Sequence, residues 1–383
     1  MPKTYDFAVA GAGVFGAWTA HHLRRSGARV VLLDAYGPAN ARASSAGETR
    51  VIRMSYGPDE LYTRWARQSL AQWRELSAAT SGDLFRPTGV LWLSHDTDAY
   101  TRDELPVLDR LGIRYERLTG DDIRRRWPQL RFPDVTWGIF EPDSGALMAR
   151  RSVQTLVGRL MQDGVDYVAA AALPPAGKGK LAKLATAAGE IAAGAFVFAC
   201  GPWFPKLFPA LLGERIFVTR QEVFFLGPPA GSDDFRPPRM PAWIHHTHAD
   251  RPYSIPDIEE RGFKLAFDTH GPEHDPDTAT RTVPPAAIER LRRYLRDHVP
   301  ALADAPVVET RVCQYENTWN GDFLIDRHPD FENVWLVGGG SGHGFKHGPA
   351  VAEYTAARIL QDAPAEPRLA LAGKQARQQR AVY

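Results

Sequence analysis

Tyr5-Asp6-Phe7-Ala8-Val9-Ala10-Gly11-Ala12-Gly13-Val14-Phe15-Gly16 reads as a short apolar strand running into glycines with the spacing Gly-x-Gly-x-x-Gly. Gly13 to Ser26 reads as a helix and Arg29 to Leu33 as a second buried strand, so the segment is a β-α-β unit. In such a turn the first glycine permits the tight bend and the second lets a pyrophosphate approach the backbone. The third allows the helix to pack closely on the strand. The helix starting there offers unpaired N–H groups and a positive dipole end to phosphate. Asp34 closes the second strand, where a carboxylate can accept hydrogen bonds from a ribose. Gly11, Gly13, Gly16 and Asp34 are therefore candidate dinucleotide ligands, and the fold class is α/β with a Rossmann-type domain. This unit does not separate NAD from FAD, because both carry the same ADP half.

A second glycine-rich segment makes that separation. Asn333 to Val337 reads as a strand, Gly338 to Gly344 as a loop and Pro349 to Leu360 as a helix. Backbone donors in such a loop can approach a polar ring, and a helix N-terminus near the pyrimidine end of a flavin stabilises the negative charge that gathers there on reduction. The reading favours FAD, with Gly342, His343 and Gly344 beside it. Between the two loops, Arg150 to Gln162 forms an amphipathic helix, and Ile191 to Cys200 a strand entering Gly201-Pro202-Trp203.

The middle of the chain has another character. Leu91, Phe217 to Leu226 and Phe263 to Phe267 read as strands of a mostly antiparallel sheet, separated by long Pro-containing loops. At 383 residues the chain suits two domains, on a prior of about 150 residues each. Their segments interleave: residues 1–84, 146–215 and 322–383 are assigned to the FAD-binding domain, and 85–145 and 216–321 to an α+β substrate domain on a mixed or antiparallel sheet. Pro228 to Pro241 reads as a surface loop, and Asp362 to Tyr383 as a loosely packed tail.

Composition narrows the function class. With 46 basic and 45 acidic residues the net charge is +1, so no global field draws the protein to nucleic acid or an anionic membrane. Arg124-Arg125-Arg126 reads as a solvated face. Apolar runs fall short of the roughly 18 residues of a spanning helix. The first strand begins too early for a signal peptide, and the two cysteines fit a reducing cytosol, so a cytoplasmic protein is expected. His245, His246 and His248 lack a carboxylate motif and read as a loop, so no metal is expected.

Several further motifs occur in one order. They are Gly47-Glu48-Thr49-Arg50-Val51-Ile52-Arg53, Arg126-Trp127-Pro128, Phe140-Glu141-Pro142-Asp143-Ser144-Gly145, Lys264, Val312-Cys313-Gln314-Tyr315, Ile325-Asp326-Arg327-His328-Pro329 and Ser341-Gly342-His343-Gly344-Phe345-Lys346. With the N-terminal unit they resemble the flavin-dependent secondary-amine oxidases typified by monomeric sarcosine oxidase, N-methyltryptophan oxidase and pipecolate oxidase, within the D-amino acid oxidase-like superfamily. The resemblance covers almost the whole chain.

It implies covalent FAD, through a thioether from Cys313 to the 8-methyl group, with Ser44, Arg50 and Lys346 among the cofactor-binding positions. A thiolate is the natural nucleophile for that methyl group. Tyr315 follows at i+2, so in a strand it shares the face of Cys313, and the matching family tyrosine lines the substrate cavity. Arg53 and Lys346 match the pair that grips a substrate carboxylate, a flat fork and a point charge converging on an anion. Arg50 resembles the arginine set against the flavin ring. Lys264 matches the lysine that promotes reaction with oxygen, and Tyr253 lies near a family cavity tyrosine. Cys200 reads as a small packing residue. One departure stands out: where sarcosine oxidases carry an active-site histidine four residues after this lysine, the chain has Asp268, with His270 two positions on. A carboxylate there suits a cationic amine and puts sarcosine itself in doubt.

The implied activity is oxidation of a secondary, or primary, amine in an N-methyl or cyclic amino acid. Hydride passes to flavin N5, the imine is hydrolysed, and oxygen is reduced to hydrogen peroxide. The partners are a small amino-acid-like amine and molecular oxygen, acting on a monomer. The other readings are a same-fold dehydrogenase with a different electron acceptor, a non-catalytic flavin-binding protein, and an NAD dehydrogenase, which has no use for Cys313.

Overall fold

Strand β1 (Thr4–Ala10), helix α1 (Val14–Arg25) and strand β2 (Val30–Asp34) form the expected parallel unit in a computed structural model that describes residues 3–80 and 82–376. β1 lies between β2 and the strand Gly189–Phe198, parallel to both. The sheet extends through Val334–Gly338, also parallel, to an antiparallel edge at Leu324–Arg327, and on the other side to Asp166–Ala169. Its central strands are buried on both faces, which explains their continuous apolar runs. Val9, Val30 and Leu32 meet the helices, while Ala8, Ala10, Val31 and Leu33 pack with Phe196, Phe198 and Phe204 on the far side.

Close contact between α1 and the turn below it depends on Gly16. A Cβ there would stand 1.8 Å from the Gly11 carbonyl oxygen, and Gly11 itself has φ +105° and lies against the Ala199 backbone. Gly16→Ala should therefore lower stability by about 1–3 kcal/mol or more and weaken cofactor retention. Thermal unfolding read together with flavin content checks this, and an unshifted melting temperature would mean that the helix gives way freely.

The second sheet has eight strands, in the order Val307–Asn317, Phe217–Leu226, Phe263–Phe267, Pro252–Ile255, Ala242–His245, Val90–Ser94, Trp137–Glu141 and Glu116–Thr119. Ala242–His245 runs parallel to Val90–Ser94 and the other pairs are antiparallel, so the sheet is mixed. Helix Pro285–His298 covers one face through Leu291, Tyr294 and Leu295, against Phe224, Phe263 and Leu265. Strand alternation sends Phe263, Leu265 and Phe267 to that core and turns Lys264 to the opposite face. A three-stranded ribbon of Arg50–Ile52, Gly145–Leu147 and Phe85–Arg86 carries the arginine-rich motif.

Three expectations change. The part of the tail that lies within the described residues is anchored: Arg368 pairs with Asp59 at 2.5 Å and Asp322 at 2.7 Å, and Leu369, Leu371 and Lys374 are buried. Residues 377–383 of that stretch lie outside the described residues. Pro228 to Pro241 has no regular element, yet Phe235 and Met240 sink into the core beside Phe263, so it is more than a surface loop. His245 ends a strand and is fully buried, with Nε2 3.0 Å from Asp134 and Nδ1 3.2 Å from the Tyr294 hydroxyl. Among the described residues no helix is long and apolar enough to cross a membrane.

Candidate active site

Two cavities meet between the sheets. The first is a groove that begins at the glycine turn: Gly11, Gly13, Asp34, Ser44, Ser45 and Phe15 line it, and it continues to Cys200, Glu316 and Gly344. Gly16 is absent from this lining, so its part is the packing described above. Asp34 does double duty, because its carboxylate accepts from the backbone N–H groups of Ala12, Tyr36 and Gly37 at 2.8–3.0 Å while facing the groove. Ser45 Oγ accepts from Val14 N, the first N–H of α1, at 3.1 Å. Cys200 lies against Ala10, and burial keeps its thiol protonated.

The second cavity is a chamber whose lining includes Arg53, Trp92, Tyr253, Lys264, Asp268 and Lys346, together with His246 and Arg251. Groove and chamber share Arg50, Cys313, Tyr315, Ser341, Gly342 and Phe345. Sequence-distant motifs thus converge on one junction. The strand Val307–Asn317 supplies Cys313 and Tyr315 on one face, as the i+2 spacing requires. Gly342 has φ +78°, and a Cβ there would stand 2.7 Å from the Tyr315 ring, so the loop can pass Tyr315 only as glycine. Arg50 reaches across with Nη2 2.6 Å from the Ser44 carbonyl and 3.8 Å from Cys313 Sγ, and its guanidinium lies over the Phe345 ring. Ser44 Oγ donates to the Gln314 carbonyl, tying that segment to the strand.

Charge is concentrated in the chamber. Lys264 is 1% exposed and donates to the Thr49 carbonyl at 2.8 Å; burial, helped by Arg50, holds its amine well below the ordinary lysine range. Lys346 donates to the Tyr56 hydroxyl at 2.9 Å and the His343 carbonyl at 3.2 Å, and burial with Arg53 nearby lowers it likewise. Arg53 lies between the rings of Tyr56 and Trp92, at 4.4 and 4.6 Å from their centroids, and its Nη1 is buried without a hydrogen-bond partner. The turn carrying it is fixed by Glu141, which accepts from Met54 N at 2.8 Å and Ser55 N at 2.9 Å. Asp268 accepts from the Tyr315 hydroxyl at 2.5 Å; burial raises its carboxyl, while that bond, Arg53 and Lys346 pull it back. His270 lies near the Tyr315 ring.

Of the residues expected to hold cofactor or substrate or to take part in the chemistry, all except Gly16 line one of the two cavities, whereas His245, His248 and His270 line neither. Sequence reasoning missed Ser45, Tyr56, Trp92 and Glu316. Glu316 is the most telling: 7% exposed, it accepts from Gly340 N through Oε1, its Oε2 has no partner, and burial pushes its carboxyl up to about 7. Its signal was an acid at the inner end of a strand, on the far side from Cys313 and Tyr315.

The model of the FAD-dependent oxidoreductases matches residues 6–358. The chain belongs to the FAD-dependent oxidoreductase family. Within it, monomeric sarcosine oxidase of a Bacillus species is 30% identical over 360 residues, 92% of this chain and 91% of that protein. N-methyl-L-tryptophan oxidase of Salmonella arizonae is 27% identical over 364 residues, 94% and 96% of the two chains. Among solved structures, L-proline dehydrogenase from P. horikoshii superposes with a TM-score of 0.83 at 20% identity over 96% of each chain, a likeness of fold. The groove of this FAD-dependent oxidoreductase suits its cofactor. A helix N-terminus and two glycines line the groove, Glu316 in its wall has an unpartnered buried carboxyl oxygen, and the partly exposed Cys313 thiol lies at the junction.

Proposed function

We propose that the protein oxidises the C–N bond of a secondary amine in a small N-methyl or cyclic amino acid, with oxygen as the final electron acceptor. The observation that carries this reading is the orphaned Nη1 of Arg53, a buried cationic donor at the chamber wall. Leaving such a donor unpaired is costly, and a ligand carboxylate removes the cost. Lys346 spends two of its three N–H groups on protein acceptors and keeps one for the same anion. Asp268, held by Tyr315, is placed to receive the amine, so the chamber offers an anion site and a cation site, as a zwitterion requires. Bound FAD supplies the two-electron acceptor for the C–N bond and returns those electrons to oxygen.

The chain's own groups orient and charge the reactants. Arg53 and Lys346 hold the carboxylate, and Tyr253 and Trp92 shape the apolar wall. Lys264, on the strand facing the junction, supplies positive charge where oxygen is reduced. A screen of N-methyl and cyclic amino acids for anaerobic loss of the yellow colour tests the reading, with carboxyl-free analogues as markedly poorer substrates. Peroxide formed during turnover distinguishes this oxidase from a same-fold dehydrogenase.

A thioether to Cys313 belongs to the same proposal. Arg50 beside Sγ offers a positive partner for the charge the sulfur carries as it attacks. Acid-denatured wild-type protein should keep its colour in the pellet, and Cys313→Ser should release all of it. Complete release from the wild type would rule the linkage out.

A further inference from the structure

Tyr56 is fully buried and touches both arms of the clamp in different ways. Its ring carries the Arg53 guanidinium at 4.4 Å, and its hydroxyl accepts from Lys346 Nζ at 2.9 Å. The same oxygen lies 2.7 Å from His347 Nε2 and 3.2 Å from His343 Nδ1.

Donor accounting orders this cluster. His343 Nε2 is 3.0 Å from the Gly321 carbonyl, which only accepts, so Nε2 carries a proton, and in that tautomer Nδ1 is the acceptor. The Tyr56 hydroxyl donates to that Nδ1. His347 Nε2 then donates to the Tyr56 oxygen alongside Lys346, and its Nδ1 keeps a lone pair, in keeping with the absence of any partner there. The hydroxyl thereby keeps one lone pair on Lys346 and the other on His347. Burial and the nearby Arg53 drive Lys346 toward its neutral form, a poor anion partner, against the opposing pull of Asp268 and Glu141. A fixed acceptor opposes that drift.

We propose that Tyr56 is the positioning residue of the carboxylate clamp: its ring sets the plane of Arg53, and its hydroxyl, locked by His343 and His347, fixes Lys346 with one N–H turned to the substrate. The inference rests on the carboxylate-clamp reading above.

Tyr56→Phe keeps the ring and removes the hydroxyl, so KM for a carboxylated amine should rise about tenfold or more with kcat little changed. Loss of an acceptor lowers the lysine further, so the rise of KM with pH should begin at lower pH than in the wild type. In a Lys346→Met background, Tyr56→Phe should add nothing. If Lys346→Met raises KM but Tyr56→Phe does not, or if the two effects multiply, Tyr56 does not act through Lys346 and the proposal falls. If Lys346→Met leaves KM unchanged, the clamp reading fails and takes this inference with it. Should Tyr56→Phe not fold, His347→Gln reads the same coupling: a smaller rise in KM, absorbed by Lys346→Met, supports the proposal, and a multiplied effect overturns it.

Discussion

Arg53→Met should lower kcat/KM for a carboxylated amine by about thirtyfold to several thousandfold. The figure follows from the roughly 2–5 kcal/mol lost when one partner of a buried, hydrogen-bonded charge pair is removed. The geometry argues for the upper part of that range. Arg53 is 6% exposed, lies between two rings, and carries a buried donor without a protein partner. Removing it leaves the substrate carboxylate desolvated beside Lys346 alone, while Asp268 still faces the chamber and repels it. The loss should be selective: an amine without a carboxyl group should lose little, because Arg53 has nothing to grip. Steady-state kinetics on a matched pair of substrates reads the contrast. Equal losses on both would mean that Arg53 supports the fold rather than the anion.

Lys264→Met should leave flavin reduction by substrate near its normal rate and slow reoxidation by oxygen, on the order of 10²–10³-fold for the loss of one preorganised charge. Lys264 sits on the site-facing side of its strand, fully enclosed, with its amine on the Thr49 carbonyl and Arg50 close by. Positive charge there stabilises the negative charge that develops on oxygen as it takes electrons. The sign of the pH effect follows. Burial lowers the lysine, so the proton is present below that lowered value and lost above it. Wild-type reoxidation should fall as pH rises through this range, and Lys264→Met should be flat across it. Stopped-flow reoxidation of the reduced protein in aerated buffer measures both, and an unchanged rate in the variant would remove Lys264 from the oxygen half-reaction.

Much of this was legible because backbone needs write themselves into residue type. The bend at Gly11 and the helix contact at Gly16 admit no side chain, and strand alternation alone turns Lys264 away from the core of Phe263, Leu265 and Phe267. The i+2 spacing of Cys313 and Tyr315 likewise sets their common face. What could not be read was the convergence of distant segments. Tyr56 looks like an ordinary aromatic after a short strand, and only folding brings its hydroxyl to Lys346 and His347. Glu316 follows Tyr315 on the opposite face of its strand, and its free oxygen acquires meaning only beside the Gly340 turn. The tail misled for a related reason: Arg368 is held by Asp59 and Asp322 through ion pairs that no local pattern announces.

The central claim is that a carboxylated secondary amine gives its electrons to the bound flavin and oxygen takes them away. Anaerobic mixing of the yellow protein with matched amines, followed by admission of oxygen, tests it most directly. The account predicts that an N-methyl or cyclic amino acid bleaches the flavin and its carboxyl-free analogue does so far more slowly. Oxygen should then restore the colour with about one hydrogen peroxide per flavin. Bleaching that ignores the carboxyl group, or colour restored without peroxide, would contradict it.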